Sequence, residues 1–283
     1  MLRTLTDLFE QYIGVKEYNG IVAEIQRWYY GELVRDSWCA TSVSYFANRL
    51  GILGQIGGKN ENVYLMMEAC RKAAAESGRG TFFYRDQIPK GAVLKRGAII
   101  FQLNEGETMT TGSRKHVTTS QASLPYTGRG SFMALGGNQS DGIIPKSYQQ
   151  RTIYAVFYPV YGKDPRDFVR ALYKGALGRD GEAAGIRWWT EGLACEAQTG
   201  VTAAQGFFLG EEYLARERDD RQYLDDLYHG LLGRAPDEGG LAYWLNELET
   251  GRMKRRDVLK GFVISAEYLN RCNIFGIFRG TWR

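Results

Sequence analysis

The chain has 283 residues, a formal charge of +4, 44% hydrophobic and 24% charged residues, and 6 prolines. That balance excludes a long disordered polymer and suits two ordinary domains with buried cores. Residues 1–162 hold 18 Lys and Arg against 13 Asp and Glu, a net +5, and the rest holds 18 against 19, a net −1. A mildly basic first half without long Lys/Arg runs suits an anionic polymer such as a cell wall and gives no sign of nucleic-acid binding.

In chain order, residues 2–13 read as an amphipathic helix, with Leu2, Leu5, Leu8, Phe9 and Ile13 on one side. A turn-rich segment from Ile13 to Gly20 leads to a second helix near Ile21–Tyr30. Asp36-Ser37-Trp38-Cys39 then opens a third helix, in which Cys39, Val43, Phe46, Ala47 and Leu50 share a face and Gly51 stops the run. Ser37 or Asp36 is placed to cap its free amides. A further helix covers Val63–Ala75. Beyond it the pattern turns to β: strands at Ala98–Leu103, at His116–Ser120 after a polar loop, at Ser131–Leu135 and at Ile153–Tyr158. Helices first and an antiparallel meander afterwards predict an α+β domain over 1–162.

From 163 to 283 the pattern is helical and repeated. Tyr173-Lys174-Gly175-Ala176-Leu177-Gly178-Arg179 returns as Tyr228-His229-Gly230-Leu231-Leu232-Gly233-Arg234, and Trp189 and Trp244 keep the same offset. Two units, about 168–214 and 223–269 with a short C-terminal tail, are expected to bury each other's apolar faces. Gly178 and Gly233 would end helices. Arg179 and Arg234 would pair with nearby acids.

Cys39 is the candidate centre of chemistry. At a helix start the dipole favours the thiolate, so its pKa is expected below that of a free thiol. Alone, a cysteine on an apolar face is most simply a small buried hydrophobe. His116, one of two histidines, and Asn138, after a double glycine, supply the partners of a Cys–His–Asn arrangement. In it the imidazole takes the thiol proton, and the third group fixes the ring's tautomer. Trp38, Gln139 and Asp141 are candidate substrate contacts. Cys39, Cys70, Cys195 and Cys272 are scattered without a CxxC pair, so neither a zinc site nor a disulfide framework is expected, and no metal or cofactor is called for.

The ordered set Ile13-Gly14-Val15-Lys16-Glu17, Trp38-Cys39-Ala40, Arg96-Gly97-Ala98-Ile99-Ile100-Phe101, Lys115-His116-Val117 and Gly136-Gly137-Asn138-Gln139-Ser140 resembles phage and bacterial peptidoglycan hydrolases of the papain-like NlpC/CHAP group. The likeness spans roughly residues 8–158 and is nearest to a subfamily with a GGNQS segment. It implies a papain-like cysteine hydrolase that cleaves an amide of wall peptides, with Cys39 as nucleophile, His116 as base and Asn138 as orienter. Thr118-Thr119-Ser120 depart from the small, Gly-containing apolar residues usual after the histidine. The second half resembles a tandem helical repeat of unknown function from bacterial surface and secreted proteins, which implies targeting, assembly or a protein partner. The alternative is a non-catalytic wall-binding or structural protein on the same fold. The N-terminus shows no signal peptide and no apolar run reaches membrane-spanning length. The expectation is a protein made in the cytoplasm that reaches the wall by lysis, in a virion or by a leaderless route.

Overall fold

The computed structural model describes residues 3–34, 36–104, 107–113 and 115–282. The chain divides into two compact units that meet between Tyr161 and Gly162.

The first unit opens with helix α1 (Leu5–Glu10), shorter than the sequence pattern predicts. Thr4 fixes its start: the Thr4 N–H donates to Asp7 Oδ2 at 2.6 Å, and the Asp7 N–H returns a bond to the Thr4 hydroxyl. Helices α2 (Gly20–Tyr30), α3 (Cys39–Arg49) and α4 (Val63–Ser77) follow. Helix α3 is central. All nine residues from Cys39 to Ala47 are buried, not one face only. Its polar members stay satisfied through carbonyls: Thr41 donates to Trp38, Ser42 to Cys39 and Ser44 to Asn60.

The strands are β1 (Thr81–Tyr84), β2 (Val93–Leu94), β3 (Ile99–Leu103), β4 (Lys115–Ser120), β5 (Leu124–Pro125), β6 (Ser131–Gly136), β7 (Ile144–Gln149) and β8 (Ile153–Tyr158). Six form an antiparallel sheet in the order β1-β8-β3-β4-β6-β7, while β2 and β5 pair separately. Helices followed by an antiparallel sheet make the α+β arrangement expected. Alternation along β3 and β4 sends Ile99, Phe101, Leu103 and Val117 into the core shared with α1, α3 and α4. Gln102 and Thr118 point to the other face, where Gln102 Nε2 donates to Thr118 Oγ1 at 2.9 Å. Thr119, on the helix side, meets the Thr6 hydroxyl of α1 at 2.9 Å and donates to Leu135 O at 2.8 Å. The two threonines that depart from the resembled pattern thus hold the sheet to its neighbours.

The second unit is all helical: α5 (Pro165–Leu172), α6 (Ala183–Ala194), α7 (Gly200–Phe208), α8 (Glu211–Leu214), α9 (Asp220–Leu227), α10 (Glu238–Glu249), α11 (Arg255–Ile264) and α12 (Ala266–Ile274). Helices α5 and α9 each run on into a single π turn, Tyr173–Leu177 and Tyr228–Leu232, closed by left-handed Gly178 and Gly233. Both repeats feed one core. Their contacts are reciprocal: Phe168 of the first faces Tyr268 of the second, and Tyr213 of the first faces Tyr223 of the second, with ring centroids 6.3 and 6.2 Å apart. At the crossing a Cβ on Gly175 would strike the Gly230 backbone, so the π turns touch main chain to main chain. Arg179 bonds Glu182 and Glu212, and Arg234 bonds Asp237 and Glu267, so each arginine bridges its turn to the end of its own repeat.

Candidate functional site

Cys39 is the first residue of α3 and is buried. The expected cap is missing. Trp38 occupies the capping position without a side-chain bond, and the Asp36 carboxylate accepts from the adjacent Ser37 N–H instead. The backbone amides of Val117 on β4, of Ala40 and of Cys39 itself lie near enough to the thiol to favour its ionised form. Val117 is the neighbour of His116, so the thiol sits beside the strand that carries the histidine. This contact forms where the sheet parts, because β4 and β6 pair only at Thr119↔Leu135 and Ser120↔Ala134.

The end of β6 is pressed into that gap. A Cβ on Gly137 would fall 2.5 Å from the Trp38 ring and overlap the Ser42 hydroxyl, and one on Gly136 would fall 3.2 Å from Thr118 Cα. Neither glycine is there for a left-handed turn; both are there for close approach. Beyond them Asn138 takes φ +59° and Asp141 φ +57°, conformations that short polar side chains tolerate.

His116 stands opposite Gln102 on β4, on the sheet face away from Val117. Its Nε2 is buried and has no hydrogen-bond partner. Burial holds the imidazole down to about 4, with the positive charge of Lys146 adding to the effect. Burial also pushes the Cys39 thiol above its ordinary value, and the three amides offset this only in part. The expected depression by the helix start is overturned, because desolvation of a fully enclosed sulfur outweighs the dipole and the amides. Near neutral pH the imidazole is thus neutral, and the thiol keeps its proton.

Tyr148 and Lys146 of β7 complete the surroundings, and neither stands out in the sequence. The Tyr148 ring lies 6.2 Å from the His116 ring. Its hydroxyl is pushed up to about 12 by burial, with nearby Cys39 adding to the rise. Lys115 places its ammonium on the carbonyls of Thr110 and Thr111, which fastens the described part of the preceding loop.

The remaining sequence candidates fare unequally. Asn138 is half-buried on the turn after β6, and no hydrogen bond joins it to His116. Trp38 is completely enclosed, with its ring against Gly137, and offers a ligand no surface. Gln139 is buried as well: with its amide oriented to satisfy both ends, it donates to Ile144 O and accepts from the Gly136 N–H, each at 3.0 Å. It fastens the β6–β7 turn and does not face outward. Asp141 is exposed, and its carbonyl accepts the Glu17 N–H at 2.8 Å. All four cysteines are buried free thiols. Among the described residues no helix is long and apolar enough to cross a membrane.

Residues 154–217 and 204–272 each match a family described as a domain of unknown function (DUF4214), so the C-terminal part carries that domain in tandem. The two matches leave residues 1–153 uncovered. No curated protein and no solved structure matches the chain.

Proposed function

We propose that the first unit is a cysteine hydrolase of papain-like, NlpC/CHAP type that cleaves an amide bond in peptidoglycan, with the helical repeats serving targeting or assembly. The observation that carries this reading is the buried Cys39 thiol at an uncapped helix start, close to the Val117 amide of β4, with His116 next along that strand. A neutral His116 is a competent base. It would take the Sγ proton as the sulfur attacks the carbonyl carbon. The carbonyl oxygen would gain negative charge beside the free amides of the α3 start, and the imidazolium would then protonate the departing amine. Water would release the acyl group from the thioester, with His116 again as base. An orienting role for Asn138 requires its side chain to turn toward the His116 ring. An N-terminal thiol site of this kind acts on wall peptides in the proposal because the ordered motifs resemble wall hydrolases and the first half is basic.

A second reading, a non-catalytic wall-binding or virion protein, is favoured by one observation: the resting thiol and imidazole are both held neutral and enclosed. Purified walls incubated with the protein, and with its Cys39→Ala and His116→Ala forms, separate the two. Release of new amino groups by the parent alone supports the hydrolase, and equal release by all three ends it.

A further inference from the structure

Among the described residues, Lys146 is a charged side chain near His116 that faces solvent without a bonded partner. It is exposed on β7 opposite Ala134, and its ammonium lies 5.6 Å from the Tyr148 ring centroid. That ring in turn lies 6.2 Å from the His116 ring. Among the described residues no carboxylate pairs with Lys146, and none pairs with His116. Among the described residues, the groups placed around the imidazole carry no negative charge: β3 contributes the Gln102 amide as its cross-strand neighbour, and β7 the Tyr148 phenol and Lys146. A positive site with an unpartnered buried nitrogen at its centre is built to receive an anion.

We propose that Lys146 docks a carboxylate of the substrate peptide beside His116 and Tyr148, so that the site selects acidic peptides over amidated ones. This rests on the hydrolase reading and sharpens its substrate class. The physical reason lies in the proton transfer. When His116 accepts the thiol proton, a second cation forms near Lys146, and the two repel. A carboxylate on Lys146 cancels that repulsion as the charge appears, so it is held more tightly once the imidazolium has formed. By reciprocity, an acid that binds there makes His116 easier to protonate. Discrimination then falls mainly on turnover, and an amidated peptide loses about tenfold in rate for each pH unit by which its His116 is left less basic.

Two measurements on the full chain test this. In the first, the His116 imidazole is followed by NMR as acetyl-alanyl-glutamate or its diamide is added, with a His229 variant used to assign the second ring. The diacid is expected to move the His116 signal and raise its titration midpoint by about one pH unit. The diamide should not, Lys146→Met should abolish the response, and Lys146→Arg should keep it. A His116 signal that ignores the diacid, or that responds alike in Lys146→Met, overturns the proposal. In the second, walls with free carboxylates are compared with the same walls amidated by carbodiimide and ammonia. The parent should release amino groups about tenfold faster from the free acid form, and Lys146→Met should bring the ratio near one. An active parent without preference also overturns the proposal. If no wall is cut at all, the hydrolase reading fails, and the first measurement still decides whether Lys146 receives a carboxylate.

Discussion

His116 makes stability depend on pH in a calculable way. Folding lowers its pKa from 6.5 to about 4, so between those values the unfolded chain binds a proton that the folded chain refuses. Stability is therefore fully present above about pH 6.5 and falls as the pH drops toward 4, below which both states are protonated and the loss levels off. At about 1.4 kcal/mol per pH unit, the gap caps the loss at about 3 kcal/mol, a large part of what holds a domain together. Asp7 has a lowered pKa too, but it titrates below this window, and it cancels when two chains that share it are compared. Urea unfolding of the parent and of His116→Phe from pH 7.5 to 4.5 is the assay, with the difference between the two curves as readout. The parent should lose about 2–3 kcal/mol more than the phenylalanine form over that range. Parallel curves, or a His116 ring that titrates near 6.5, would refute the claim that its burial is uncompensated.

Three further outcomes follow from close contacts and from the thiol. Iodoacetamide labelling of Cys39 should keep accelerating beyond the pH at which an exposed thiol levels off, because burial raises its pKa; a rate that plateaus below pH 8 would contradict this. Gly137→Ala should cost about 2–3 kcal/mol in urea unfolding, since the new methyl meets the Trp38 ring at 2.5 Å, whereas Gly54→Ala, with open space around it, should stay within about 0.5 kcal/mol. Gly175→Ala should destabilise the helical unit by about 3 kcal/mol or more, because the clash is with the Gly230 main chain and no side chain can move aside. A helical signal that melts as in the parent would argue against the close crossing.

The parts of this fold that show in the sequence are those encoded locally. The repeat is visible because each unit repeats its helix starts at a fixed offset, Pro165 to Asp220, Ala183 to Glu238 and Gly200 to Arg255. The start of α3 is visible from a polar lead-in and an apolar run, yet neither Asp36 nor Ser37 caps it, because the Asp36 carboxylate turns to the adjacent Ser37 N–H. Strand β7 does not show in the sequence pattern: Ile144–Gln149 is an exposed edge with Pro145 and Lys146 in it, so it lacks the alternation that marks a half-buried strand. Lys146 and Tyr148 were hidden with it. The ionisation of Cys39 and His116 could not be read from residue type, because its sign depends on how completely other elements enclose them.

That enclosure bears on which reading of the first unit is right. A cysteine site that rests as a thiolate–imidazolium pair needs its charges solvated or bonded in the free protein. Here three nearby backbone amides favour a thiolate, while among the described residues the imidazole Nε2 has no partner. The asymmetry matters. A purely structural cysteine and histidine gain nothing from amides left uncapped at a helix start, nor from a buried nitrogen without a partner, which costs about 1–3 kcal/mol. Two glycines hold β6 close enough to keep both features in place. Such costs persist most readily where a ligand removes them, and a substrate amide at the α3 start with its carboxylate on Lys146 would do so at both ends. The decisive quantity is thus the change on binding: an inert fold keeps His116 near 4 whatever is added, and a working one does not.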